Sequence, residues 1–136
     1  MKRLQFLLTY FGLFTLLSAI VVFNFAVFGM RRYPKLPERH VPAAQAARGP
    51  QLVRDYGCVG CHTIPGVPEA SGKVGPQLDR LGDQVYIAGR LPNSGQNLAW
   101  WIQNPQTVDP RTAMPDLGVG ERDARDIAAF LYAQSE

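Results

Sequence analysis

The sequence predicts an all-α protein in which a single N-terminal transmembrane helix precedes a small helical head domain. Three observations predict this class: a long N-terminal run without charge, three later segments with apolar residues at helical spacing, and no run of alternating apolar and polar residues typical of strands. We expect a transmembrane helix over residues 4–30, a proline-containing linker over 31–42 and the head domain over 43–136.

The N-terminal segment is predicted to cross a membrane. No residue from Leu4 to Met30 is charged, and as an α-helix this run would be about 40 Å long, against roughly 30 Å of hydrocarbon in a bilayer. A cleaved secretory signal peptide is the alternative, but the run is longer than the apolar core of such a peptide, and no small-residue cleavage site follows it. Asn24 would bond either to a neighbouring helix of a complex or within its own helix.

Charge is distributed unevenly along the chain. The formal net charge is +3, and basic residues flank the apolar run, where cations meet lipid headgroups: Lys2, Arg3, Arg31, Arg32 and Lys35. From Leu36 onward, acidic residues are in slight excess. The head therefore lacks the basic patch typical of nucleic-acid-binding proteins, and we expect no nucleic-acid partner. Because basic residues lie at both ends of the run, charge alone leaves the orientation open.

The linker is predicted to be extended. Pro34, Pro37 and Pro42 lie in it, and each proline lacks a backbone donor and biases its predecessor away from helix. The stretch from Tyr33 to Val41 is therefore expected to act as a semi-rigid tether that holds the head away from the bilayer.

Three helices are predicted in the head. The first covers Ala43 to Tyr56, although Gly49-Pro50 weakens it. The second covers Asn97 to Asn104, after Ser94-Gly95 and before Pro105, and the third covers Glu121 to Gln134. Turn-rich loops are expected between them, over Ile64–Pro76 and Pro105–Gly120.

A five-residue motif carries the chemistry. Cys58-Val59-Gly60-Cys61-His62 has the pattern C-x-x-C-H, the attachment sequence for c-type haem. Two thiols at this spacing can form thioethers with the two vinyl groups of one porphyrin, and the adjacent histidine can then offer an imidazole nitrogen to the iron. The motif predicts one haem c, bound covalently through Cys58 and Cys61.

Three other interpretations of the two cysteines compete with haem attachment. A thioredoxin-like dithiol would lie in a βαβ context, which the sequence lacks. A structural zinc site needs four ligands, and the chain has two cysteines and two histidines, of which His40 lies in the linker. A chance match to the short pattern is the third.

Met114 is the candidate for the second axial ligand. Apart from Met1 and Met30, at the ends of the apolar run, it is the only methionine. It lies in a proline-bounded loop before the last predicted helix. Core filling is the usual role of a single methionine, but no other candidate ligand is present in the head. Ligation by His62 and Met114 would raise the reduction potential and suit an electron carrier.

With these residues identified, the head resembles class I cytochrome c domains. The run Cys61-His62-Thr63-Ile64-Pro65-Gly66, followed by Val74-Gly75-Pro76-Gln77-Leu78, is most similar to the cytochrome domain fused to subunit II of some haem–copper oxidases. The membrane-anchored cytochrome subunit of nitric oxide reductases is a weaker match. The likeness continues from Leu91-Pro92-Asn93 to Met114-Pro115. Since only the predicted helix and linker precede the head in this sequence, we expect no copper-binding domain before it, and the partners stay open.

The resemblance implies roles for further residues. The Pro76 carbonyl would accept the proton on the other nitrogen of the ligating histidine. Leu78 and Trp101 would pack beside the haem, and Gly49 and Phe130 would lie where the first and last helices of the head cross. Contacts with the propionates or the haem edge, or ordinary packing, are expected of Arg90, Tyr86 and Trp100.

The resulting functional prediction is a membrane-tethered monohaem c-type cytochrome that transfers single electrons and needs no catalytic acid, base or nucleophile. Its expected partners are membrane lipid and redox proteins, with the chain either a separate carrier or the cytochrome subunit of a respiratory or photosynthetic complex. Since haem is attached in this way outside the cytoplasmic membrane, the resemblance implies a single-pass protein of the bacterial cytoplasmic membrane, with its N-terminus cytoplasmic and its haem domain periplasmic.

Two alternative functions remain at the level of sequence. In the first, Met114 leaves the iron and the open site reacts with a gas or a peroxide, with Arg111 as the only candidate for a polar residue on that side. In the second, no haem is bound and Cys58 and Cys61 act as a dithiol.

Overall fold

The computed structural model of the chain describes residues 2–29, 40–42 and 44–135. Two compact units are present, over 1–36 and 37–136. The first contains helix α1, Lys2–Gly29. The second contains α2 (Gly49–Asp55), α3 (Gly95–Gln103), α4 (Pro105–Val108) and α5 (Glu121–Ala133), with two short strands, β1 (Tyr86–Ile87) and β2 (Leu91–Pro92).

Helix α1 presents apolar side chains to its surroundings. Its large apolar side chains that the structure describes are all exposed, among them Phe6, Phe11, Phe14 and Phe23. Two of its hydroxyl groups donate to carbonyls of the same helix, Thr15 to Gly12 and Ser18 to Thr15, which satisfies them without a partner outside the helix. Within the part of the chain that the structure describes, no helix combines the length and apolarity that a membrane span requires.

Parts of the first unit and the linker lie outside the described residues. These include most of the predicted extended stretch between Tyr33 and Val41, and the side chain of Asn24. The transmembrane segment, the linker and their boundaries stay predictions. Val41, at the end of that stretch, is buried in the head.

The first helix of the head is shorter than the sequence predicts. A turn of 3-10 helix covers Ala46–Arg48, and α2 begins only at Gly49. The reason is Pro50: a proline has no N–H to donate and fits only the first turn of an α-helix. The prediction of one helix from Ala43 to Tyr56 was therefore wrong at its N-terminal half.

The second and third predicted helices are confirmed. Helix α3 begins after Ser94, whose hydroxyl accepts a hydrogen bond from the Asn97 amide at 3.2 Å and so caps the helix. Pro105 ends α3, and it also opens α4, a segment that was predicted to be a loop. That prediction was wrong because proline at the first helical position is a favourable start as well as a stop.

The expectation that the head has no strands also needs correction. Strands β1 and β2 pair antiparallel, with Tyr86 opposite Pro92 and Ile87 opposite Leu91. Each strand has two residues, which is too short for alternation of apolar and polar residues to appear in a sequence. Among the described residues of the head, the other regular elements are helices, and long loops join them.

The core forms where α5 packs against α2 and α3. A Cβ atom on Gly49 would overlap the ring of Phe130, so the predicted crossing of the first and last helices at these residues is confirmed. Beside the crossing, the buried carboxylate of Asp126 accepts hydrogen bonds from the Gln45 amide, at 2.6 Å, and from Arg48. This network holds the segment before α2 against α5, because a buried carboxylate is stable only where donors satisfy it.

Candidate haem-binding site

The C-x-x-C-H motif forms one tight turn after α2. Gly57 adopts a left-handed conformation, with φ of 74°, which reverses the chain where the helix ends. The carbonyl of Cys58 then accepts hydrogen bonds from the amides of Cys61, at 3.2 Å, and His62, at 3.0 Å. Both cysteines are free thiols. The turn therefore places two thiols and an imidazole on one segment of five residues.

The imidazole of His62 is held in one orientation. Its Nδ1 lies 2.7 Å from the carbonyl oxygen of Pro76, the contact that the family resemblance implies. A carbonyl can only accept, so Nδ1 carries the proton and Nε2 keeps its lone pair for a metal. Gly75 packs directly on the ring, since a Cβ atom there would overlap three of its atoms.

Backbone hydrogen bonds fix the loop that follows His62. The Gly75 amide donates to Cys61 at 2.8 Å, and the Leu78 amide donates to Thr63 at 3.0 Å. The hydroxyl of Thr63 donates to the carbonyl of Gly72 at 3.0 Å, and a Cβ atom on Gly72 would meet the backbone of the motif itself. Sequence reasoning missed the roles of Thr63 and Gly72, although a glycine in a turn-rich loop was the pattern that could have indicated a close approach.

The imidazole faces a cavity of about 530 Å³, a volume within the range of cofactor sites. Four of the predicted site residues line it together with His62: Pro76, Leu78, Trp101 and Met114. A smaller apolar space adjoins it, of about 40 Å³, and has Cys58, His62 and Met114 among its lining residues. The structure therefore brings six of the eight predicted site residues to one continuous site.

The other two predicted site residues lie outside the lining of the cavity. Cys61 is on the motif turn. Arg90 directs its guanidinium to the carboxylate of Asp109, with Nε at 3.2 Å and Nη2 at 3.1 Å from the same oxygen. Of the other aromatic candidates, Tyr86 lines the cavity and Trp100 does not. A direct contact between Arg90 and the haem stays a prediction.

The β1–β2 hairpin forms one wall of the cavity. Its turn has positive φ at both central residues, 50° at Ala88 and 65° at Gly89, and the Arg90 amide donates to Ile87 at 2.9 Å. This geometry matches the right-handed twist of paired strands. A left-handed conformation is unfavourable for an alanine, by roughly 1–2 kcal/mol. The turn thus holds a small strain at the wall of the site.

A buried asparagine supports the neighbouring wall, and sequence reasoning missed its role. Asn93 is 2% exposed. Its side-chain amide donates to the carbonyls of Leu81 and Gln84, each at 2.7 Å, and its side-chain oxygen accepts from the Tyr132 hydroxyl at 2.5 Å. Leu81 and Gln84 line the cavity, so Asn93 links this wall to α5. No local pattern could have indicated it, because its partners lie up to 39 residues away.

A cation at the cavity was also missed. Arg80 lines it, with an exposed side chain that donates from Nε to Asp83 at 3.1 Å. The sequence pointed to Arg90 and Arg111 but not to Arg80, because nothing in the local sequence distinguishes one surface arginine from another.

Cys58 does not have the electrostatics of a reactive thiol. Burial raises the pKa of the Cys58 thiol above its ordinary value, whereas reactive cysteines have a lowered pKa. Among the described residues, no three of histidine, cysteine, aspartate and glutamate come together as a metal site.

The residues of the cavity fit an iron porphyrin. The lining offers an imidazole with a free Nε2 and the thioether of Met114, and a thiol of the motif lines the adjoining space. Apolar side chains complete the cavity, among them Leu98, Ile102 and Leu131. This donor set suits haem iron, whose axial ligands are commonly histidine and methionine in electron carriers. The fold and the site define a small helical haem-binding domain.

The family comparison agrees with this class. The family model for cytochrome c matches residues 46–135, and the chain therefore belongs to the cytochrome c family. Membership indicates an electron-carrying haem protein with covalently bound haem. It confirms the resemblance drawn from the sequence.

Three curated relatives are cytochrome c oxidase subunit 2 proteins. That of Alkalihalophilus pseudofirmus is 33% identical over 87 residues, which cover 63% of this chain and 25% of the relative. That of Bacillus sp. strain PS3 is 30% identical over 70 residues, 50% and 20% of the two chains. That of Bacillus subtilis is 24% identical over 89 residues, 64% and 25%. The chain spans at most about a quarter of the length of these relatives.

Proposed function

We propose that this protein is a membrane-tethered monohaem c-type cytochrome that transfers single electrons, as the cytochrome subunit of a respiratory membrane complex. One haem would be attached through Cys58 and Cys61 and ligated by His62 and Met114. The observation that carries the proposal is the shared cavity of His62 and Met114, with the Nδ1 proton of His62 directed to Pro76.

Each part of the chain has a role in this function. When bound, haem supplies the one-electron chemistry of its iron. The Pro76 carbonyl orients His62 and increases the basicity of its Nε2. Leu78, Trp101 and the other apolar residues of the lining would exclude water, which with a thioether ligand would raise the reduction potential of a bound haem. Arg80, at the cavity, is a candidate partner for an acidic group of the cofactor.

The tether is proposed from the first unit. Residues 4–30 contain no charge, and this run is longer than the part of α1 whose side chains are described. Helix α1 exposes aromatic and aliphatic side chains along the described part. A helix that is apolar on all sides needs an apolar environment, and lipid would supply it. We place the protein in the bacterial cytoplasmic membrane, with its N-terminus cytoplasmic and its haem domain periplasmic.

The proposed partner follows from the relatives. They are named as oxidase subunits, and this chain matches only a quarter of their length. A tethered cytochrome of this kind would pass electrons to or from a membrane complex that it accompanies, since a tether raises the effective concentration of a partner.

The test is a spectrum of the purified holoprotein. The full chain is expressed with a haem-attachment system, solubilised in mild detergent and recorded in both oxidation states. We expect a pyridine haemochrome of the c type and the weak long-wavelength charge-transfer band of methionine-ligated ferric haem. The band should vanish in Met114→Ala and persist in Met30→Ala, the same substitution at a methionine outside the proposed site.

Other spectra would contradict the proposal. A five-coordinate ferrous spectrum that responds to carbon monoxide would favour the gas-reactive alternative, in which Met114 is displaced. A colourless protein with one reducible disulfide would favour the dithiol.

Membrane attachment is tested separately. Full-length protein should stay in the membrane fraction after washing with carbonate or high salt and should be released by detergent. Release by the wash alone would contradict an integral anchor while leaving the haem site intact.

A further inference from the structure

The backbone of Met114 is held by side chains. The Met114 amide donates to the hydroxyl oxygen of Thr112 at 3.2 Å, and the Met114 carbonyl accepts from the side-chain amide of Gln106 at 3.1 Å. Residues 113–119 make no backbone–backbone hydrogen bond to another described residue. Pro115 cannot donate one, and it restricts the conformation of Met114 to the extended region. Both polar groups of this residue therefore depend on two side chains.

A second layer of contacts positions Thr112. The Thr112 amide donates to the carbonyl of Asp109 at 3.0 Å, and the Asp109 carboxylate accepts from the Arg111 amide at 3.1 Å. The other carboxylate oxygen of Asp109 accepts from Arg90, at the end of the hairpin turn. The loop that carries Met114 is thus linked to the hairpin wall of the same cavity.

We propose that Thr112 and Gln106 are positioning residues that keep the Met114 thioether directed into the cavity, and that Arg90 acts on the site through Asp109. This inference rests on the proposed function, because it concerns the ligand that Met114 would supply. The backbone conformation of Met114 limits the directions that its side chain can take. Loss of either contact would therefore favour states in which Met114 has left the iron.

The positions and exposure of these contacts agree with a positioning role. Thr112 lines the cavity itself, and its hydroxyl contacts the Met114 amide. Gln106 lies on α4, which begins at the buried Pro105 directly after the end of α3. The Asp109 side chain is 19% exposed while that of Arg90 is 44% exposed. The ion pair reaches Met114 only through Asp109 and Thr112, and a pair with an exposed partner contributes little.

The experiment is a titration of the ferric holoprotein with imidazole, which competes with methionine for the iron. Thr112→Val and Gln106→Leu each remove one contact at nearly constant shape. We expect the apparent affinity for imidazole, followed by loss of the methionine charge-transfer band, to rise about five- to tenfold in each variant. Haem content should stay equal to that of the wild type.

Matched controls are available on α4 and α3. Thr107→Val and Gln96→Leu are the same substitutions at exposed residues whose side chains make no hydrogen bond to a described residue, and their imidazole affinity should equal that of the wild type. Thr112→Ser keeps the hydroxyl and should stay within about twofold of the wild type. Thr112→Ser thereby tests the role of the hydroxyl even where Thr112→Val folds poorly.

The possible outcomes separate the two proposals. Wild-type affinity in both Thr112→Val and Gln106→Leu, or an equal rise in the controls, overturns the positioning role while the haem assignment stands. A lower unfolding midpoint with unchanged imidazole affinity also overturns it, because that pattern reflects structure alone. Absence of the methionine band in the wild type overturns the proposed ligation, and this inference with it.

Discussion

The two sides of the haem cavity are built by different kinds of contact. On the side of His62, backbone hydrogen bonds from Gly75 and Leu78 close the loop, and the imidazole bonds to a backbone carbonyl. On the side of Met114, the ligand residue is held by the side chains of Thr112 and Gln106. One ligand is thus fixed by the path of the chain, and the other by the identity of two neighbours.

The difference predicts where the site can change. Backbone hydrogen bonds survive most substitutions, because every residue except proline supplies the same groups. Side-chain contacts disappear with one substitution. We therefore expect substitutions on the side of Met114 to change ligand exchange and the reduction potential. On the side of His62, we expect substitutions to be tolerated unless they add atoms at the closely packed glycines.

The largest expected effect comes from a methyl group on the histidine side. Gly75→Ala places a Cβ atom into the His62 imidazole, so the ring or the loop must move. We expect the free energy of unfolding to fall by about 2–3 kcal/mol and haem incorporation to decrease. Chemical denaturation of the holoprotein and the haem content measure both.

Gly120→Ala is the matched control at a glycine outside the cavity lining, because no atom lies within 4 Å of the position that its methyl group would take. It should reduce stability by less than about 1 kcal/mol. Equal losses in the two variants would show that the effect of Gly75→Ala does not come from the overlap with His62.

The next largest effect is expected at Asn93, which supports a wall of the cavity. Asn93→Ala leaves the carbonyls of Leu81 and Gln84 and the hydroxyl of Tyr132 without this partner. We expect a loss of about 2 kcal/mol. Tyr132→Phe removes only one of these bonds and should have the smaller effect in the same denaturation experiment. A larger loss in Tyr132→Phe would contradict the role given to Asn93.

A smaller effect is expected from pH. The hydrogen bond from the Arg111 amide, together with that from Arg90, lowers the pKa of Asp109 below its ordinary value. A lowered pKa in the folded state contributes stability above the ordinary aspartate pKa, which is lost as the pH falls through the lowered value. Acidification should therefore weaken the methionine charge-transfer band, and Asp109→Asn should remove this dependence.

Glu69 is the control group on the histidine side. The hydrogen bond from Arg54 lowers the pKa of Glu69 in the same direction, so acid also removes a contact there. Glu69→Gln should alter the pH dependence of unfolding and leave that of the methionine band unchanged. If the pH dependence of the methionine band changes in both Asp109→Asn and Glu69→Gln, the two sides are coupled more closely than their contacts indicate.

The smallest expected effect lies at the hairpin turn. Ala88 has a φ of 50°, and glycine adopts this conformation without strain. Ala88→Gly should raise the free energy of unfolding by about 0.5–1 kcal/mol. A decrease in denaturation experiments would show that the methyl group packs favourably in the cavity wall.

Local pattern predicted the elements that local chemistry controls. The starts of α3 and α5 and the end of α3 were predicted to within two residues, since the cap at Ser94, the stop at Pro105 and helical periodicity act over a few positions. The hairpin was missed because its strands have two residues each. Helix α4 was missed because Pro105 was interpreted only as a stop.

The sequence by itself determined the chemistry that this protein can offer. The spacing of Cys58, Cys61 and His62, and a single methionine in the head, are properties of the residues in order along the chain. They predicted a haem domain before any fold was known, because the types of donor atom depend only on residue identity.

Tertiary structure alone decided how those donors are held. It paired Arg90 with Asp109, brought Arg80 to the cavity, and buried Asn93 between a loop and α5. Such contacts join residues that are far apart in the sequence, and their energies depend on burial and geometry that exist only once the chain is folded.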